Sequence, residues 1–278
     1  MSATITSPRT GTTPTGQHLT GTGIVRSEWI KLRSLRSTLW SYAAVVVVSL
    51  GIALLIATAI GFDDAAPPAS MSNMIVLQAA TFGIYFGQLI VAVLGVLVIS
   101  GEYSTGMIRS TLTAVPKRLP ALAAKALVLF VSTFVVGLVS ILGSLLVAVP
   151  ILGAQGIEAD FSDGALWRDP VLAALYLGLV ALFALGLGTV LRNSAGGIAA
   201  ALGTILLLPT ILQIFAGLTQ AQWAIDLMPY LFSNAGNAMY TPAGEGAALE
   251  QWQSGLVVLV WTAVSLTAGA LVLRRRDA

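Results

Sequence analysis

Twenty-five consecutive residues, Asn73 to Leu97, carry no charge, and no other feature limits the possible folds of this chain so strongly. Roughly 20 apolar helical residues cross a hydrocarbon core about 30 Å thick. Comparable runs lie near 40–61, 75–100, 122–152, 170–191, 195–217 and 254–273. Charged residues make up only 9% of the chain, against roughly 25% in a soluble domain. So few charges cannot cover a soluble surface, so the bilayer must cover it. The expected fold class is an all-α polytopic membrane protein with six transmembrane helices. The third run exceeds what a crossing needs, so it is expected to tilt or project. Arg192 and Asn193 leave only a tight turn between the fourth and fifth.

The charges test this count. Six spans starting inside place 1–39, 101–121, 192–194 and 274–278 in the cytoplasm. Thirteen of the 14 Lys and Arg fall there, counting Lys125 at the head of the third run, and only Arg168 lies outside. Nine of the 12 acids fall on the other side, leaving Glu28, Glu102 and Asp277 within. Positive residues stay on the cytoplasmic side of short loops, so both termini are expected to be cytoplasmic. Residues 1–23, rich in Ser, Thr, Gly and Pro, have neither apolar periodicity nor an apolar signal core. They read as a disordered cytoplasmic tail, and a cleaved signal peptide is not expected.

Much chemistry is excluded. There is no cysteine, and the one histidine is His18 in the tail. Cysteine or paired-histidine metal sites and Ser-His proteolysis therefore lack their groups. A nucleotide-binding P-loop needs glycine before its lysine, but the three lysines follow Ile30, Pro116 and Ala124. No acid stands in the middle of a run, where a charge costs at least ~2.5 kcal/mol and marks an ion relay. The chain is expected to be no enzyme and to hold no cofactor or metal itself. No nucleic-acid partner is expected.

Two polar segments stand out. In "IVRSEWIKLRSLRSTLW", Val25, Trp29, Leu32, Leu35 and Leu39 draw an apolar stripe along a helix, with Glu28 and Arg36 within or near it. The pattern predicts an amphipathic interfacial helix over 24–39. Arg26, Lys31 and Arg33 would snorkel to lipid headgroups; Trp29, Lys31, Arg33 and Arg36 are its candidate membrane-contacting residues. A plain basic anchor ahead of the first span fits the same residues. The second segment is "GEYSTGMIRSTLTAVPKR". Gly101 and Gly106 relax the backbone as the second span ends, Met107 to Ala114 can form a short helix, and Pro116 ends it. Glu102 at the membrane edge can pair with a nearby arginine or cap backbone groups. An ordinary cytoplasmic loop would also look like this.

The segment "GEYSTGMIRSTLTAVPKR", behind the basic "SEWIKLRSLRSTLW" and the first span, resembles the permease subunits of bacterial type-2 ABC exporters. The resemblance covers almost the whole chain and implies several things. Thr105 through Val115 would form a cytoplasmic coupling helix docking on a separate ATPase, with Thr105, Gly106, Met107, Ile108, Arg109 and Leu112 as contacts and Glu102 as pivot. ATP and Mg would bind that partner, present in two copies, and explain the missing P-loop. A second permease subunit, identical or related, would complete the path in the bacterial inner membrane.

Residues 218–253 form a long connection holding "QWAIDLMPYLFSNAGNAMY", too broken for a seventh span. The resemblance implies short re-entrant helices here in the outer leaflet, with Asp226, Pro229 and Asn234 as candidate outer-gate residues; a surface segment without a role in transport remains open. Gly83 and Gly87 form a Gly-x-x-x-Gly pair, expected to pack helices within the subunit. The resemblance implies that the second span helps line the path between two permease subunits, with Gln78, Thr81, Tyr85 and Gln88 as candidate path residues and a drug, antibiotic or lipid as cargo; a path without charge suits a hydrophobic or amphipathic molecule. Two alternatives stay open: a non-transporting immunity or sensory component of such a complex, and an ion-coupled carrier.

Overall fold

The computed structural model describes residues 20–60, 69–107, 118–242 and 247–275, all helix, turn and loop. The expected tail lies in residues outside this range up to position 19. Helix α1 spans Gly21–Ser34 and α2 spans Arg36–Ala59. Leu35 between them is extended (φ −79°, ψ 117°), so the helix expected over 24–39 is divided. Leu39 belongs to the first span and not to the stripe of α1. Next come α3 (Ala69–Thr81), α4 (Ile84–Ser104), α5 (Leu119–Gly153) and α6 (Ala165–Leu191). The fifth span runs from α7 (Ser194–Leu202) through a π-helical turn, Gly203–Leu207, into α8 (Leu208–Thr219). Two short helices, α9 (Gln222–Leu227) and α10 (Phe232–Tyr240), flank a 3₁₀ turn, Met228–Tyr230, and α11 (Gln251–Arg275) closes the chain.

Six of these stretches are long and apolar enough to cross a membrane: 36–59, 71–104, 119–153, 165–191, 194–219 and 251–275. The second is broken at Phe82–Gly83. A Cβ on Gly83 would stand 2.6 Å from the Cα of Ser49, so α2 crosses backbone against backbone at this glycine. Gly87, one turn on, faces Val45 and Leu177, which keeps the Gly-x-x-x-Gly packing inside the chain. The third span has 35 residues, about 52 Å at 1.5 Å per residue, and so exceeds a bilayer core. The π turn of the fifth comes just before Pro209, whose missing N–H cannot join the α-helical ladder.

Helix α6 sits at the centre, packed by α3, α4, α5, α7, α10 and α11. Its buried side chains include Tyr176, Leu177, Phe183 and Leu185. The fifth span is the opposite case: Leu207, Ile211, Ile214 and Leu218 are all exposed. At the end of the bundle away from α1, Asn73 clasps the loop after α5. Its amide donates to the Asp160 carbonyl (3.1 Å) and to Asp163 Oδ2 (2.9 Å), and its oxygen accepts from the Asp160 N–H (2.9 Å). Hydrogen bonds from the Asn73 side chain and the Ala165 N–H hold the Asp163 carboxyl below its usual range.

Candidate functional site

At the α1 end, four ionisable side chains from three helices meet. Glu28 and Lys31 share one face of α1, Glu102 sits in the last turn of α4, and Lys125 sits in the second turn of α5. Lys125 Nζ lies 2.5 Å from Glu28 Oε2 and 2.8 Å from Glu102 Oε1. Lys31 Nζ closes the ring, 2.7 Å from Glu28 Oε1 and 3.2 Å from Glu102 Oε1. Glu28, Glu102 and Lys125 are buried. Moving such ions out of water costs several kcal/mol each unless partners compensate, and alternation of two cations with two anions supplies them.

Glu102 has a second reason to need a cation, because the carbonyl end of α4 carries partial negative charge that repels a carboxylate there. Its Oε1 accepts from both lysines, while Oε2 is buried without a partner among the described residues. Burial of Lys31 opposes its charge, but its hydrogen bond to Glu28 and the charges of Glu102 and Glu28 outweigh that and raise its pKa above 10.5. Lys31 therefore turns into the protein instead of snorkelling to headgroups, and Glu102 pairs with lysines instead of an arginine. Glu28, which spoils the stripe of α1 as a membrane face, ties α1 to the bundle together with Lys31 and the buried Leu32.

Helix α4 runs through Gly101 and stops at Gly106, whose φ of +72° is left-handed and suits glycine. The Gly106 N–H donates to the Tyr103 carbonyl (3.3 Å), and Thr105 Oγ1 donates to the Gly101 carbonyl (2.8 Å). Thr105, Gly106 and Met107 are exposed beyond the ionic ring, while Ile108, Arg109 and Leu112 lie outside the described residues. A cavity of about 500 Å³ opens beside the ring, walled by Leu32, Leu35, Leu97, Val98 and Val128 with Glu102 at its edge.

Two arginines fasten the last span at the same end. Arg118 donates to the Leu273 carbonyl (3.0 Å) and Arg192 to the Val272 carbonyl (3.3 Å). Positive charge is favourable at the carbonyl end of a helix. Arg192 also stands 5.2 Å over the Tyr103 ring. Its left-handed backbone (φ 52°) ends α6, and Asn193 starts α7 by accepting from the Gly196 N–H (2.9 Å). Among the other predicted α1 residues, Trp29, Arg33 and Arg36 are exposed.

The candidate path residues divide. Gln78, Thr81 and Tyr85 line a cavity of about 230 Å³ toward the other end, opposite Asn237 and Tyr240 of α10. Asn237 Nδ2 donates to Tyr85 Oη (2.5 Å). Gln88 is buried elsewhere, accepting from Tyr176 Oη at 2.5 Å. The candidate gate residues do not line this cavity: Asp226 is exposed and accepts from Gln222 (2.8 Å), Pro229 sits in the 3₁₀ turn, and Asn234 donates to the Met228 carbonyl (3.0 Å). Helix α10 docks through Phe232, which stacks on Phe183 with centroids 4.4 Å apart, and through Gly236, where a Cβ would run into the Tyr176 ring.

Sequence reasoning missed Glu28 and Lys125 as a pair, the arginine fastening of α11, and Asn237 and Tyr240 as cavity walls. Lys125, an ionisable residue at the head of an apolar run, was the available signal. Comparison with protein families matches residues 24–202 to the ABC-2 family transporter proteins, a range that contains every member of the ionic ring. A search of curated proteins finds no match.

Proposed function

Because this chain belongs to the ABC-2 family of transporter proteins, we propose that it is the permease subunit of an ATP-driven exporter. Family membership implies an ABC ATPase as its partner. In this reading α1 lies on the cytoplasmic face of a bacterial inner membrane, both termini are cytoplasmic, and the complex has two ATPase copies, one docked on the segment that begins at Thr105 in each permease subunit. A second permease subunit meets the exposed fifth span. The cargo is hydrophobic or amphipathic, a drug, antibiotic or lipid.

The observation that carries this reading is the position of the ionic ring. It joins the end of α4 to the start of α5, the two helices between which the chain passes through residues 105–118, and it joins both to α1. A push on the intervening segment would move α4, α5 and α1 as one body, and α4 would carry the motion along its length to the cavity of Tyr85 and Asn237. Packed helices transmit displacement because their interiors are close to crystal density. Glu102, held in the ring, is the pivot, and Gly106 lies just past the end of the rigid helix.

The test is co-purification and transport with the same preparations. Tagged protein is captured from native membranes in mild detergent, and inverted vesicles are assayed for ATP-dependent uptake of a fluorescent amphipathic cation. We expect a P-loop ATPase with the wild type, its loss from Met107→Ala/Arg109→Ala, and retained association with weakened uptake for Lys125→Ala. Absence of an ATPase from intact wild-type protein, or uptake that follows an ion gradient without ATP, would overturn the proposal.

A further inference from the structure

The junction of α1 and α2 carries a second site. A groove of about 220 Å³ runs between these helices and α5, and its walls include Trp29, Leu32, Leu39, Val131, Val135 and Val136. Tyr42 closes one side, fixed by hydrogen bonds with Ser132 (2.7 Å) and Thr133 (3.0 Å). Those two hydroxyls are thereby occupied, which leaves the groove surface apolar. Thr38 also lines it, and Thr38 Oγ1 is buried with no hydrogen-bond partner among the described residues.

The groove meets an uncapped helix start. Leu35 occupies the N-cap of α2 and offers no side-chain acceptor, so the N–H groups of Arg36 and Ser37 stay open; Leu35 is also the C-cap of α1, whose carbonyl end carries the opposite partial charge, so the net charge here is set by the flanking side chains. Arg33 and Arg36 flank this point, exposed and without a hydrogen bond or ion pair among the described residues. The nearby acids are already committed, since Glu28 and Glu102 pair with Lys31 and Lys125. Two guanidinium groups that no acid among the described residues pairs with therefore stand over an apolar slot. Trp29, half exposed at its mouth, suits the boundary between headgroup and hydrocarbon.

We infer that this junction binds one anionic phospholipid of the leaflet in which α1 lies, with the phosphate at the start of α2 between Arg33 and Arg36 and one acyl chain in the groove. Each part of the ligand meets its match: backbone N–H groups and guanidinium groups hold phosphate, and the valine and leucine walls hold hydrocarbon. The lipid would brace α1 against α5 from outside, as the ionic ring braces it from inside. The inference rests on the placement of α1 at the membrane surface and needs neither the ATPase nor a cargo.

The test uses the full chain, delipidated in detergent without the ATPase, and follows its thermal unfolding with added lipid. Dioleoyl-phosphatidylglycerol should raise the unfolding temperature more than dioleoyl-phosphatidylcholine, and inorganic phosphate alone should do nothing. Arg33→Gln/Arg36→Gln should weaken the apparent affinity for phosphatidylglycerol by about tenfold or more, the equivalent of one charge-assisted hydrogen bond. Arg274→Gln, exposed at the end of α11 and absent from the groove walls, should leave it unchanged. Val135→Trp fills the slot and should abolish the response to both lipids. Native mass spectrometry of the double arginine variant gives an independent reading: it should retain fewer phosphatidylglycerol molecules than the wild type. Equal responses to the two lipids, full phosphatidylglycerol affinity or retention without the two arginines, or an intact response in folded Val135→Trp would overturn the site. None of these outcomes bears on transport.

Discussion

Lys125 and Glu28 stand 97 positions apart in the chain, yet the ammonium nitrogen of one lies 2.5 Å from a carboxylate oxygen of the other. The contact fastens the first helix to the third span, and Glu102 shares the same nitrogen.

Lys125→Met leaves two buried carboxylates with only the partly exposed Lys31 between them. Removing one partner of a buried ionic cluster costs about 3–5 kcal/mol, whereas replacing a pair by apolar groups of like volume is close to neutral. The single variant should therefore unfold at markedly lower temperature in detergent, and Glu28→Gln/Lys125→Met should recover part of the loss. A single variant as stable as the wild type would show that the ring carries no stabilising energy.

Lys31 gives the ring an alkaline limit. Its folded pKa is raised above 10.5, so the stabilisation from its charge is complete below that value and is lost as pH climbs through the higher folded value. The unfolding temperature of the wild type should fall in that window, and Lys31→Met should flatten the profile there. Parallel profiles for the two proteins would contradict the pairing.

Gly236 lets α10 lie on the Tyr176 ring, where any Cβ would clash. Gly236→Val should cost roughly 1–3 kcal/mol by overpacking and lift α10 from α6. The chain has no cysteine, so a single Tyr240→Cys reports the change directly. This buried position should label slowly with a maleimide in the parent and much faster with Gly236→Val; equal rates would mean that α10 does not depend on this contact.

Asn73 holds the loop after α5 through three hydrogen bonds. Asn73→Ala should make residues 154–164 more sensitive to limited proteolysis from that side of reconstituted membranes. The Asp163 carboxyl is held below 3.8, first by Asn73 and then by the Ala165 N–H, so its contribution is complete above 3.8 and is lost as pH falls through the lower folded value. Proteolysis of the wild type by an acid protease should accelerate in that window, and the Asn73→Ala protein should keep only a smaller step, from the Ala165 N–H at Asp163 and from Asp160, whose carboxyl the Ser162 hydroxyl and N–H hold low.

The six crossings were legible because apolar length is a local property, and a run such as 126–138 has no alternative to a helix in lipid. The break at Phe82–Gly83 was not, since nothing local distinguishes a glycine for close packing from one that breaks a helix; Ser49 decides it from another span. The ionic ring was half legible. Glu28 appeared as a flaw in the stripe of α1 and Lys125 as a charge at the head of a run, but their pairing depends on how three helices meet. Glu102 was singled out, with lysine in place of the arginine expected beside it. Gln88 went the other way: its polarity suggested the path, but Tyr176 approaches from α6 and takes its oxygen.

The order of synthesis gives the ring a further meaning. Glu28 and Glu102 leave the ribosome before Lys125 does, and until the third span arrives they have only Lys31 to share. The first two spans are thus an unfinished unit during membrane insertion, with α1 and the end of α4 sharing one counter-ion where the finished ring has two. The lysine that completes them comes on the helix that must insert next, so its arrival marks the point at which this half of the chain can lock.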